Sequence, residues 1–76
     1  MKVFDKVKEY ILQQLPVSED KVTMEAKLID DLGADSANLM MLIMDLETEL
    51  GITVDDDALM RLKTVGDVVN YIESNS

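Results

Sequence analysis

The sequence predicts an all-α chain: a small bundle of three main helices and one short helix, with a long loop between the first and second. Three observations predict it. Apolar residues recur at helical spacing in three segments, no segment shows sustained alternation, and helix-starting or helix-stopping residues bound the segments. The spacing predicts a first helix from about Lys2 to Leu15, with Val3, Phe4, Val7, Ile11 and Leu15 inward and Lys6, Lys8, Glu9 and Gln13 between them. Pro16 stops it, because proline disfavours helical geometry in the residue before it.

Residues 16–35 fit neither the helical nor the strand period. Val17, Val22, Leu28, Ile29 and Leu32 read as apolar pins that hold an ordered loop on the core, and Gly33 can supply a turn that other residues resist. A loop of this length in a compact chain tends to be functional. The second helix should run from about Ser36 to Leu50. Asp35 and Ser36 suit its start, and Gly51 suits its end. A short third helix fits about Asp57 to Leu62, with Asp55, Asp56 and Asp57 as the solvated turn that starts it. The last helix should run from about Val65 to Glu73, with Thr64 and Asp67 as a short capping box and Val65, Val68, Val69 and Ile72 inward.

The second helix carries two apolar faces. At roughly 100° per residue, Leu39, Leu42, Ile43, Leu46 and Leu50 form a core stripe. Ala37, Met40, Met41 and Met44 fall on the other side, near Thr48. One stripe is enough for an amphipathic helix. Cover by the third helix or the loop is one role for the second stripe. An exposed docking strip is the other, and it suits methionine, whose flexible thioether adapts to varied surfaces.

Composition narrows the functions. The chain has 76 residues and reads as one domain, residues 1–76. Its 47% hydrophobic content supports a core and argues against disorder. With no cysteine and no histidine, disulfides, thiolate metal sites and Ser-His-Asp chemistry are all excluded, so an enzyme is not expected. Asp55-Asp56-Asp57 lacks the alternating ligands and glycine of a calcium loop, so no ordered metal site is expected. No run is long enough to span a bilayer, and Met1-Lys2-Val3-Phe4-Asp5 does not resemble a signal peptide; the expectation is a cytoplasmic monomer.

The formal net charge is −9, and its placement is uneven. Residues 28–60 hold nine acids and no base, whereas the remaining residues hold seven of each. Such a block repels nucleic acid and anionic membranes and attracts basic protein surfaces. Its crowded carboxylates repel one another, so acid, salt and divalent ions should all favour the fold.

Ser36 has no histidine to activate it, and read locally it is a helix-starting serine after a capping Asp35. It also offers a phosphate site at the positive end of a helix. The run Asp31-Leu32-Gly33-Ala34-Asp35-Ser36 resembles the attachment motif of acyl carrier proteins, free-standing bacterial type. The resemblance extends along the chain: the Lys-rich first helix, the long loop, Glu47-Thr48-Glu49-Leu50-Gly51-Ile52 at the end of the second helix, and Thr64-Val65-Gly66-Asp67 at the start of the last.

The resemblance implies a carrier rather than a catalyst. In it, a phosphopantetheinyl transferase moves 4'-phosphopantetheine from coenzyme A to Ser36. The arm's thiol holds growing acyl chains for the basic surfaces of fatty-acid synthesis enzymes, and the chains can slip between the helices. By position, Asp35, Met40, Met44 and Glu47 match the family's recognition face, and Ala37 and Met41 lie on the same strip. The family usually has leucine or methionine where Ala37 stands, and acids where Asn38 and Met41 stand, so the helix has lost charge and gained apolar surface. A specialised carrier for polyketide, nonribosomal-peptide or other lipid pathways is the alternative, and an acidic interaction or mimic protein without cofactor is a remote one.

Overall fold

The computed structural model describes residues 2–74, so Met1, Asn75 and Ser76 lie outside the described residues. Its elements are α1 (Val3–Gln14), a 3-10 turn (Glu19–Lys21), α2 (Ser36–Leu50), α3 (Asp56–Arg61) and α4 (Val65–Ser74). Among the described residues there is no named strand, and the expected all-α bundle with a long loop between α1 and α2 is found.

Helix α1 buries Val7 and Ile11 on one stripe and packs against α4 and α2. It ends where Leu15 turns extended, at φ −120° and ψ 142°, ahead of Pro16. Helix α2 buries Leu39, Leu42, Ile43 and Leu46, and half-buries Leu50. It stops at Gly51, whose φ of +66° places it in the left-handed region open to glycine. Val65, Val68, Val69 and Ile72 of α4 join the same core through α1, so three helices close one core, and every buried residue among the described ones is apolar. Thr64 and Asp67 cap α4 reciprocally. The Asp67 N–H donates to Thr64 Oγ1 at 3.0 Å, and the Thr64 N–H donates to Asp67 Oδ2 at 3.1 Å.

The long loop is held from two sides. Val22, Leu28 and Leu32 are buried, as expected, but Ile29 is 55% exposed. The reason is a single helix-like turn after Lys27, in which the Asp31 N–H donates to the Lys27 carbonyl and the Gly33 N–H to that of Ile29. Leu28 and Leu32, four apart, share its inner side, and Ile29, one step round, faces out. Ala26 and Ala34 take the remaining inner positions. The backbone supplies the second hold. Leu28 N–H donates to Lys63 O at 2.9 Å, Val65 N–H to Ala26 O at 3.0 Å and Gly66 N–H to Met24 O at 2.8 Å. An isolated antiparallel bridge joins Lys27 to Thr64 at the centre of this strap.

Gly66 shows how tight the strap is. A β-carbon there would lie 2.8 Å from the Met24 carbonyl oxygen, a backbone atom that cannot swing away. Alanine is the better helix former, but the clash outweighs propensity. Urea denaturation of Gly66→Ala is expected to show a loss of about 1–3 kcal/mol, where propensity alone would give a gain.

Candidate functional site

Ser36 is the first residue of α2, and its side chain is exposed. The chain reaches it through two linked features. Gly33, at φ +74°, turns the loop, and the buried Ala34 fixes the approach. Asp35 then takes the N-cap. Its Oδ1 accepts the Asn38 N–H at 2.8 Å, and Asn38 Oδ1 accepts the Asp35 N–H at a long 3.4 Å. The capping is therefore done by Asp35 and Asn38, and Ser36 makes no cap hydrogen bond; its hydroxyl remains available. The N–H groups of the first turn have no carbonyl four residues back, and the helix dipole is positive there.

An open cleft of about 800 Å³ includes Ser36 in its wall. Leu39 and Met40 of α2, Leu59 and Met60 of α3, and Ile29 and Leu62 from the flanking segments give it a largely apolar lining. Its size is that of a small-molecule site. Two smaller hollows, of about 420 and 350 Å³, lie away from Ser36, against Tyr71 and against Thr23 respectively. Leu59, Met60 and Ile29 were not singled out as site residues by the sequence. Nothing in the pattern signals them, because α3 is too short to show a period and Ile29 reads as a core pin.

The second apolar stripe of α2 is exposed. Met40 is 51% exposed, and Met41 and Met44 are each 58% exposed, with Ala37 exposed beside them. Neither α3 nor the loop covers them, although Met40 also edges the cleft. The acids of α2 behave differently, because three of them tie the fold together. Glu47 is half-buried, and its Oε2 accepts the Val54 N–H at 2.8 Å, which holds the α2–α3 connection. Asp45 Oδ2 accepts Gln14 Nε2 at 2.6 Å, and Glu49 pairs with Lys6 at 3.1 Å, both linking α2 to α1. The structure thus brings Asp35, Ser36, Ala37, Met40, Met41 and Met44 onto the open end and face of α2, and gives Glu47 an internal partner.

These ties set the pH and salt response. The hydrogen bond from Lys6 holds the Glu49 carboxyl below its usual value, and the same bond raises Lys6. Loss of solvation, then Glu49, raises Tyr10. A lowered carboxyl contributes above its unfolded pKa and ceases to contribute as pH falls through its folded value; a raised lysine contributes at neutral pH and is lost at high pH. On the acid side this loss opposes the relief of repulsion among residues 28–60. The stability difference between the protein and a Glu49→Gln variant is therefore expected to shrink as pH falls through the carboxylate range. Salt acts on the acidic block as a whole. The molecule measures 27 × 26 × 19 Å, and the screening length falls from about 30 Å at 0.01 M to about 3 Å at 1 M salt. Melting followed by circular dichroism is expected to give a Tm that rises over that range.

The site lies inside a family match. Residues 5–72 match the model of the phosphopantetheine attachment site family. An acyl carrier protein of Thermotoga maritima is 58% identical over 71 residues, covering 93% of this chain and 88% of that protein. One from Clostridium perfringens is 51% identical over 74 residues, 97% of each. The structure of an acyl carrier protein from Enterococcus faecalis superposes over the full length of both chains with a TM-score of 0.85 at 37% identity. Among the described residues no helix is long and apolar enough to cross a membrane. An exposed serine at the positive end of a capped helix, beside an apolar cleft and within a match of this extent, leads to one assignment: the chain belongs to the acyl carrier protein family, with its covalently bound 4'-phosphopantetheine.

Proposed function

We propose that Ser36 is the residue that carries 4'-phosphopantetheine, and that the chain holds growing acyl groups on it for fatty-acid synthesis enzymes. The observation that carries this reading is the position of the Ser36 hydroxyl: exposed, at the first position of α2, freed from capping by Asp35 and Asn38, and in the wall of an 800 Å³ cleft. The residues present suit the group. The Ser36 and Ala37 N–H groups, which the cap leaves open, would hold a phosphodiester, as helix N-termini hold phosphates generally. When bound, the group supplies a terminal thiol that holds acyl groups as thioesters, chemistry beyond a chain without cysteine.

The chain's own part is positioning. Gly33, Ala34 and Asp35 present the Ser36 oxygen. In loading, that oxygen displaces the adenosine bisphosphate half of coenzyme A, and its proton leaves to a base of the phosphopantetheinyl transferase, since this chain has no histidine to take it. Leu39, Leu59 and Leu62 offer an acyl chain a surface away from water. For docking, the unpaired sign of the acidic block steers basic partner surfaces, and the exposed stripe of Ala37, Met40, Met41 and Met44 supplies contact area. Glu47 acts in this face chiefly by holding the α2–α3 connection.

Two measurements test the reading. Incubated with coenzyme A and a transferase, the protein is expected to gain one arm by intact mass, and after acylation to release the acyl group to hydroxylamine as a thioester does. Met41→Glu is expected to slow acyl delivery to a ketosynthase by roughly tenfold, the effect of a charge placed in an apolar contact worth about 1.4 kcal/mol. Delivery as fast as, or faster than, that of the unchanged protein would remove the apolar strip from the account.

A further inference from the structure

The methionines are distributed unlike the rest of the apolar residues. Every described methionine is exposed: Met24 at 38%, Met40 at 51%, Met41 and Met44 at 58% and Met60 at 77%. The buried core contains leucine, isoleucine, valine and alanine and no sulfur. Methionine is ordinarily a core gap-filler, so a chain that keeps all its described thioethers outside has separated its oxidisable atoms from its stabilising ones. Three of them lie on the outer side of α2, with Met44 four residues after Met40 and three after Met41. Met60 shares the wall of the Ser36 cleft with Met40. There is no cysteine to react first.

We propose that Met40, Met41 and Met44 form a reversible oxidation site that switches docking off while leaving the fold intact. This rests on the docking role proposed above. The reaction is two-electron oxidation by a hydroperoxide. The thioether sulfur attacks the terminal peroxide oxygen, the S–O bond forms as the O–O bond breaks, and the remaining oxygen takes up the proton and leaves as an alcohol, or as water when the oxidant is hydrogen peroxide. Each sulfoxide turns a soft apolar contact into a strongly polar acceptor, on the very face that the acidic residues leave for apolar contact. The reverse step takes two thiols of a methionine sulfoxide reductase system to a disulfide and water. Oxidation does not reach the core, because no buried side chain among the described residues can be oxidised this way.

The test uses the unloaded protein, so that no cofactor thiol competes for peroxide. Untreated protein is first shown to be loaded by coenzyme A and transferase; failure at that point would count against the proposed function and not against the switch. After hydrogen peroxide, peptide mass mapping is expected to place one added oxygen on each of Met40, Met41 and Met44. The loading rate is expected to fall by roughly tenfold, with Tm and helical content unchanged, and reductase treatment is expected to restore it. In a protein with all three residues changed to leucine, peroxide-treated and untreated samples should load at the same rate, whatever that rate is. The proposal is overturned if fully oxidised native protein loads at its original rate. It is also overturned if the leucine variant loses as much to peroxide as the native protein does, or if the loss tracks unfolding.

Discussion

Replacing Ser36 by alanine is expected to abolish covalent loading completely and to leave the helical bundle in place. The two halves of that result come from different residues. On the proposed assignment, loading needs an oxygen at the first position of α2, and alanine has none. Folding at that point depends on Asp35, whose carboxylate caps the Asn38 N–H, and on the return bond from Asn38. Ser36 contributes no cap, is exposed, and would be replaced by the best helix former, so the change in stability should stay within about 0.5 kcal/mol. Intact mass after incubation with coenzyme A and transferase reads the first half, and urea denaturation reads the second. A variant that neither loads nor folds would show that the hydroxyl is structural and would remove the separation between capping and carrying.

The second large effect concerns the loop that leads to Ser36. Leu28→Ala is expected to destabilise the protein by about 2–5 kcal/mol, the cost of emptying a fully buried leucine site. Leu28 has no solvent exposure, its N–H donates to Lys63 and its carbonyl accepts from Ala34, so the side chain and backbone both anchor the approach to α2. Against a total stability of about 5–15 kcal/mol, this removes a large share, and for a domain of this size Tm should fall by roughly 10 °C or more. Ile29→Ala, one residue along, should change stability by no more than about 0.5 kcal/mol, because Ile29 faces solvent. Equal costs at the two positions would mean that the loop does not turn as described.

The two adjacent positions also show where sequence patterns carry information. Helix α2 was legible from end to end because its limits are written in side chains: Asp35 caps it, Gly51 adopts the left-handed conformation, and the buried stripe repeats at the helical period. The same holds for the Thr64–Asp67 cap of α4 and for Pro16 after α1. The loop was legible only as ordered and apolar. Its strap to residues 63–66 consists of backbone hydrogen bonds, which leave no residue-type signature, so Ile29 could not be told from Leu28. At the site, Ser36 stood out through its motif, whereas Asn38 read as a missing acid and is in fact the other half of the α2 cap. Glu47 read as an outward charge, but it spends its carboxylate on Val54. A carboxylate looks the same in sequence whether it faces a partner protein or a backbone N–H seven residues on.

In the proposed function one particular hydroxyl carries the arm. The chain has four serines, Ser18, Ser36, Ser74 and Ser76, so an intact mass alone does not identify the carrier. Fragmentation mass spectrometry of the loaded protein does. The whole added phosphopantetheine mass is expected on the peptide containing Asp35-Ser36-Ala37, with the phosphodiester on Ser36 and none on the other three serines. A loaded protein whose arm maps to Ser18, Ser74 or Ser76, with Ser36 unmodified, would contradict it.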